Sequence, residues 1–302
     1  LEMMTRTVSG RARGMSRAGV MLCCLAGAAP ALVSGPAASA EGDKLDICAY
    51  APAFDEDFNR LSVSRSNAET ARWTAHTPWN GDFGDAGFLD PTDDQGEGRW
   101  SGPFMVRNGV LTIEARKHDN GKWTSGLLAS TDPTTAGYAQ TYGYFEARMK
   151  LPDGPGVWPA FWLATNKKKD DGPSVEIDVL EYYGKAPGSF ESTVHVWNKG
   201  PKREHAFQQI TTRVPEGTLS ADFHRYGVDV APDWTTFYLD RREVGRLPTP
   251  PEHTRPLTIL LNLALGSGWP IDQTKNPSHL LVDYVRTYTK LKDGPAKGCT
   301  DR

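Results

Sequence analysis

Clustered positive charge and cysteine are both scarce in this chain, and each scarcity narrows what it can do. Lysine and arginine together number 34 against 37 acidic residues, a formal net charge of -3. Nucleic acid and anionic membranes are gripped by Lys/Arg clusters. The lysines at 167, 168 and 169 make a single short run, so neither partner is expected, and a neutral or weakly charged substrate is the better fit. The same balance argues against sulfated galactans. An uninterrupted apolar stretch of the roughly 20 residues that a bilayer crossing takes is also missing. The apolar run at 18–33 is too short and is interrupted around its end by Pro30, Gly35 and Pro36. Beyond residue 41 no helical period of useful length occurs, which leaves little room for a helical fold.

What is present begins with residues 1–40, which have the three-part composition of an export signal. Arg6, Arg11, Arg13 and Arg17 form a basic region, 18–33 the apolar region, and Ala38-Ser39-Ala40 a small-residue cleavage site. A retained anchor is the alternative, disfavoured by the length of the run. A lipid attachment at Cys23 or Cys24 is disfavoured because the residues before them are not small. Cleavage would remove four arginines and Glu2, taking the net charge to about -6. The expected product is secreted or periplasmic, a single catalytic domain over 41–302, and a monomer. Of the four cysteines, Cys48 and Cys299 would remain, one near each end of that domain. An oxidising compartment allows them to pair, although two free thiols fit the sequence equally well until the Cα separation is known.

Short alternating stretches bounded by Gly, Pro and Asp recur through the rest, an all-β pattern. Strands are expected at 110–116, 142–151, 226–230, 235–239, 257–265 and 280–289. In 142–151 the alternation sets Phe145, Ala147, Met149 and Leu151 inward, and Tyr144, Glu146, Arg148 and Lys150 toward water. Two stretches resist this reading: 166–172, a charged loop, and 73–102, whose Trp73, Trp79, Phe83, Phe88 and Trp100 are too many rings for solvent alone. Long irregular segments on a β scaffold are often where ligands are met.

The chemistry sits in Ser174-Val175-Glu176-Ile177-Asp178-Val179-Leu180-Glu181. On a strand, residues two apart share a face, so Glu176 and Asp178 project together while Val175, Ile177 and Val179 enter the core. Glu181 follows Glu176 at an odd offset, which a regular strand would turn to the opposite face. A β-bulge near 179–180 would bring it back. Crowded carboxyls resist joint ionisation and raise at least one pKa. A glycosidase needs that split, with one carboxylate attacking and another holding a proton for the leaving oxygen. Retention needs about 5 Å between the two carboxyls.

The run resembles glycoside hydrolase family 16, whose bulged Glu-x-Asp-x-x-Glu signature is matched by Glu176, Asp178 and Glu181. The likeness extends to 142–148, 156–163, His195-Val196-Trp197, 223–239, Asn262-Leu263-Ala264 and Asp283-Tyr284-Val285-Arg286. It implies a concanavalin-like β-jelly-roll, two antiparallel sheets with a concave cleft. It implies Glu176 as nucleophile, Asp178 as its support and Glu181 as acid/base, with no cofactor required. A structural calcium ion near Asp283 is a further family feature. Trp158 and Trp162, on one side of their strand, are expected to line the sugar subsites. Arg148 resembles a family arginine that contacts sugar hydroxyls. His195, Asn262, Trp269, Trp79 and Asn80 complete the expected substrate contacts. The family's substrates run from β-1,3- and β-1,3-1,4-glucans, favoured here, through exopolysaccharides to agar and carrageenan, and some members transfer sugars. A lectin using the same sandwich is the non-enzymatic alternative.

Overall fold

The computed structural model describes residues 42–168, 171–199, 201–202, 204–295 and 298–299. The expected export segment, with Cys23 and Cys24, and Lys169 of the lysine run lie outside them. Apolar alternation broken by turn residues gives, in chain order, β1 (Tyr50–Glu56), β2 (Val63–Ser64), β3 (Trp73–Thr74), β4 (Ala86–Phe88), β5 (Phe104–Arg107) and β6 (Val110–Lys117). There follow β7 (Trp123–Ser125), β8 (Leu127–Ala129), β9 (Ala139–Gln140), β10 (Gly143–Lys150), β11 (Val157–Thr165), β12 (Ser174–Glu181) and β13 (Ser189–Lys199). The last are β14 (Glu204–Arg213), β15 (His224–Val230), β16 (Trp234–Leu239), β17 (Arg242–Pro248), β18 (Leu257–Leu265) and β19 (Ser278–Lys290), with one four-residue helix, α1 (Thr218–Ala221), before β15.

Two sheets result. One is ordered β17-β16-β15-β10-β19-β6-β7-β4, with β1 also on β19 and β5 on β6. The other is ordered β14-β13-β12-β11-β18-β8-β3-β2, with β9 also on β18. The expectation of purely antiparallel sheets needs a small correction, because β2 pairs with β3 and β4 with β7 in parallel. Both exceptions are two- or three-residue strands at a sheet edge, where the irregular 73–102 segment is threaded in. No helix among the described residues is long and apolar enough to cross a membrane.

The main core is filled from both sheets. Leu111, Ile113, Phe145, Val228 and Val282 of the first meet Phe161, Val175, Ile177, Ile259 and Leu261 of the second, all fully buried. Each such side chain contributes about 1.5–3 kcal/mol by leaving water. A second cluster lies on the outer side of the second sheet. There Ala129, Ala160, Ala164 and Ala264 keep the surface low, and Trp158, Trp162, Phe83 and Phe88 pack over them.

The wet face expected for β10 is only partly wet. Tyr144 and Glu146 are fully buried, because Leu45, Ile47, Tyr50 and Tyr288 cover that side. Glu146 is neutralised there by Arg241, whose Nε and Nη2 donate to the two carboxylate oxygens at 2.9 and 3.0 Å. The Tyr144 and Tyr284 hydroxyls donate to the same oxygens at 2.8 and 2.9 Å. Cys48 and Cys299, 251 positions apart in sequence, are joined as a disulfide with their Cα atoms 5.7 Å apart.

Candidate active site

The acidic triplet is assembled by a break in the pairing of β12. Against β11, Leu180 faces Phe161 and Asp178 faces Trp162, so Val179 has no partner. Against β13, Asp178 faces Thr193 and Glu181 faces Glu191, three residues on one strand against two on the other. Val179 and Leu180 both turn into the core, 2% and 0% exposed. Such a bulge restores the odd-offset Glu181 to the side of Glu176 and Asp178.

Each carboxyl then meets a distinct set of neighbours. Trp158 Nε1 donates to Glu181 Oε1 at 2.9 Å, and the Trp158 ring stacks on Tyr183 with centroids 6.2 Å apart. The Tyr183 hydroxyl is hydrogen-bonded to Glu181 as well. Trp197 Nε1 donates to Glu176 Oε2 at 3.2 Å. Asp178 Oδ2 lies 3.1 Å from His195 Nε2. No lysine or arginine joins them among the ion pairs of the described residues, and the electrostatics follow from that. Burial, then the Asp178 charge, push Glu176 up to about 8, with the Glu181 charge adding to the rise and His195 and Trp197 opposing it. Burial, then Glu181, hold Asp178 well above the usual carboxylate range. Burial likewise holds His195 below its ordinary value, against the pull of Glu176 and Glu181. A neutral imidazole cannot offset the carboxylates, so protons must. Each carboxylate of the Glu176–Asp178 pair makes the other harder to ionise, so the pair holds on to a proton rather than losing both.

Beside Glu176 opens a cavity of about 460 Å³, walled by Trp79, Ala164, Thr165, Lys167, Lys168, Ser174, Trp197 and Asn198 among others. The charged 166–172 loop, one of the two irregular stretches expected to meet ligands, thus supplies a wall of the cleft through Lys167 and Lys168. Trp79 is exposed and overlies the Trp162 ring edge-on at 5.8 Å. Asn80 is exposed in the turn beside it, with φ +54°. Trp269 is exposed with the Lys185 ammonium 3.5 Å over its ring. The 73–102 loop is pinned to the end of β18 at Gly266. Its φ is +91°, a conformation that favours glycine, and a Cβ there would press on the Asp85 carboxylate at 2.0 Å.

Four expectations change in the structure. Trp162 is only 6% exposed, held under Trp79 and Phe83 and bonded through Nε1 to Asn262 Oδ1 at 2.8 Å. It supports the floor, and Trp79 presents the open ring instead. Asn262 is 0% exposed and also donates to the Trp158 carbonyl at 3.3 Å, so it orients the two tryptophans from below and meets no sugar. Arg148 belongs to β10 in the other sheet, paired with Asp283 at 2.6 Å and lying over the Phe223 ring. Alternation places a residue on a face but does not say of which sheet. The same pair answers the calcium expectation: a guanidinium bonded to the Asp283 carboxylate repels a second cation, and the residues present there do not fit one. Among the described residues, only Glu176, Asp178 and His195 bring three ligand-type atoms within 4.8 Å. Those atoms are engaged with each other and with Trp197.

Trp197, Tyr183 and His205 were not singled out in the sequence. Trp197 had a signal, two positions after His195 and hence on its face of β13. Tyr183 lies just past the strand. His205 comes from β14, and only the β13–β14 hairpin brings it to His195.

Residues 93–286 match the model of glycosyl hydrolases family 16. The chain is 32% identical over 263 residues to the endo-1,3-1,4-beta-glycanase EglC of Rhizobium meliloti, covering 81% of this chain and 53% of that protein. It is 31% identical over 254 residues to a beta-glucanase of Rhodothermus marinus, 70% of this chain and 84% of the other. The chain thus spans about half the length of EglC and of its Rhizobium companion ExsH. Among solved structures, the laminarinase from Rhodothermus marinus superposes with a TM-score of 0.61 at 25% identity, over 80% of this chain and 98% of that one. The bulged acidic strand, the two-sheet fold and these matches lead to one statement: the chain belongs to glycosyl hydrolase family 16.

Proposed function

We propose that this chain is an exported, retaining endo-β-glucanase acting on β-1,3- or β-1,3-1,4-linked glucan. The observation that carries the reading is the bulge at Val179, which sets Glu176 and Glu181 on one face beside a cavity walled by Trp79 and Trp197. Ionised Glu176 attacks the anomeric carbon while Glu181 gives its proton to the departing glycosidic oxygen. Glu181 then takes a proton from the water that attacks the glycosyl ester and frees Glu176. Trp158 and Tyr183 orient Glu181, and Asp178 with His195 sets the charge state around Glu176. The mixed linkage in the name of the Rhizobium relative and the β-glucanase from Rhodothermus support the substrate class. A disulfide between Cys48 and Cys299 supports export, since such bonds persist in oxidising compartments.

Lys167 and Lys168 at the cavity wall favour a second reading, a glucan-like exopolysaccharide carrying acidic substituents. One experiment addresses both. The purified protein is incubated with laminarin, lichenan, agarose, κ-carrageenan and succinoglycan, and products are followed by size and by proton NMR of the first-formed anomer. Mid-sized oligosaccharides with a β anomer from laminarin or lichenan are expected. Cleavage of succinoglycan alone would select the second reading. Binding without cleavage would make the chain a lectin, and transfer products in place of reducing ends would make it a transglycosylase.

A further inference from the structure

Behind the acidic triplet stands a group that the double-displacement chemistry does not call on. His205 on β14 has its Nε2 2.8 Å from His195 Nδ1, and His195 Nε2 is 3.1 Å from Asp178 Oδ2. The His205 ring also lies flat on Trp197, with centroids 3.7 Å apart and planes 4° from parallel. Trp197 in turn donates to Glu176. Asp178 is buried, His195 half-buried and His205 exposed. The three form a line of close polar contacts, N···O at 3.1 Å and then a hydrogen bond at 2.8 Å, from the buried carboxyl to the protein surface.

We propose that His205 is a positioning residue that fixes the tautomer of His195 and connects the proton of Asp178 to solvent. A neutral imidazole carries one N–H, and the partner of one nitrogen decides where that hydrogen sits. With Asp178 protonated, its O–H points at His195 Nε2, so the His195 hydrogen resides on Nδ1 and is donated to His205 Nε2. When Asp178 ionises, its O–H bond breaks as an N–H bond forms at His195 Nε2. The Nδ1–H bond of His195 breaks as one forms at His205 Nε2, and the far nitrogen of His205 gives its proton to water. Three bonds break, three form, and one proton leaves.

The need for such a line rests on the proposed double displacement. While Glu176 is a carboxylate, a charged Asp178 beside it is costly; once Glu176 is an ester, that cost is gone, and Asp178 can ionise. A carboxyl only 7% exposed follows this cycle more readily when its proton has a route out. The charges facing the line are Glu176, Asp178 and Glu181 from β12, with Glu204 beside His205 on β14.

The test compares His205→Phe, which keeps a ring on Trp197 but has no nitrogen, with His205→Ala, which loses both. Its first readout is independent of activity: the tautomer of His195 from long-range ¹⁵N NMR of the imidazoles. Wild type is expected to show His195 in the single Nδ1–H form near neutral pH, and His205→Phe a mixture. The second readout is the kcat–pH profile on whichever glucan is cleaved. His205→Phe should lose roughly tenfold in kcat with KM nearly unchanged and a displaced limb of the profile, and added imidazole should restore part of the rate of His205→Ala. A single His195 tautomer unchanged in His205→Phe overturns the proposal, as does a wild-type kcat–pH profile in that variant. If no glucan is cleaved at all, the proposed function fails, and the NMR comparison still decides the role of His205.

Discussion

The chain buries carboxylates in two places and treats them in opposite ways. On the ten-stranded sheet Glu146 is enclosed with Arg241 and two tyrosine hydroxyls, so both of its oxygens are filled by four donors. On the nine-stranded sheet Glu176, Asp178 and Glu181 are crowded together with two indoles, a phenol and an imidazole that burial keeps neutral. The first arrangement is satisfied and inert. The second leaves charge uncompensated, and its protons become mobile. Whether a buried acid is mortar or machinery thus turns on whether a fixed cation stands beside it.

The largest effect should come from removing a carboxylate at the uncompensated centre. Glu176→Gln or Glu181→Gln should keep the circular dichroism of the parent and lose glucan hydrolysis by roughly a thousandfold. Near-parental turnover in either would end the role assignment. At the compensated centre the outcome should invert. Arg241→Met strands Glu146 without its cation and should cost about 3–5 kcal/mol in denaturant unfolding, with the specific activity of the folded fraction unchanged.

A third comparison uses pH. Glu176 holds its proton up to about 8, above its ordinary 4.5, so the folded state binds that proton more tightly than the unfolded chain. The stabilisation is whole below about pH 4.5 and is lost as pH rises through about 8. Glu176→Gln escapes the loss. It should unfold like wild type near pH 4 and be more stable by about 2–4 kcal/mol above pH 8. A difference independent of pH would contradict the raised value. The smallest effect is expected from Asp178→Asn, which deletes the neighbouring charge that helps raise Glu176. The acid limb of kcat/KM should move down by about one pH unit, and a limb that stays in place would mean burial alone sets it.

These two centres also mark what sequence can reveal. The period of two at Val175 and Ile177 and the odd spacing from Glu176 to Glu181 were enough to require a bulge, because one strand's local geometry decides both. The burial of Tyr144 and Glu146 was not legible. Their cover comes from residues 45–50 and from Arg241, far away in sequence, and a local alternation reads any polar residue as wet. Arg148 failed for a related reason, since its face was foreseen but not the sheet it belongs to. Asn262 was identified as near the cleft and proved to lie beneath it, and depth is a property of packing that no spacing encodes. His205 needed a hairpin register to reach His195, so nothing near either residue announced the pair.

The bond between Cys48 and Cys299 closes a covalent ring around all nineteen strands. A protease that cuts any single loop inside the ring therefore opens the circle without releasing a piece, and the two halves part only when the disulfide is reduced as well. With the ring intact, the first cut need not be the fatal one.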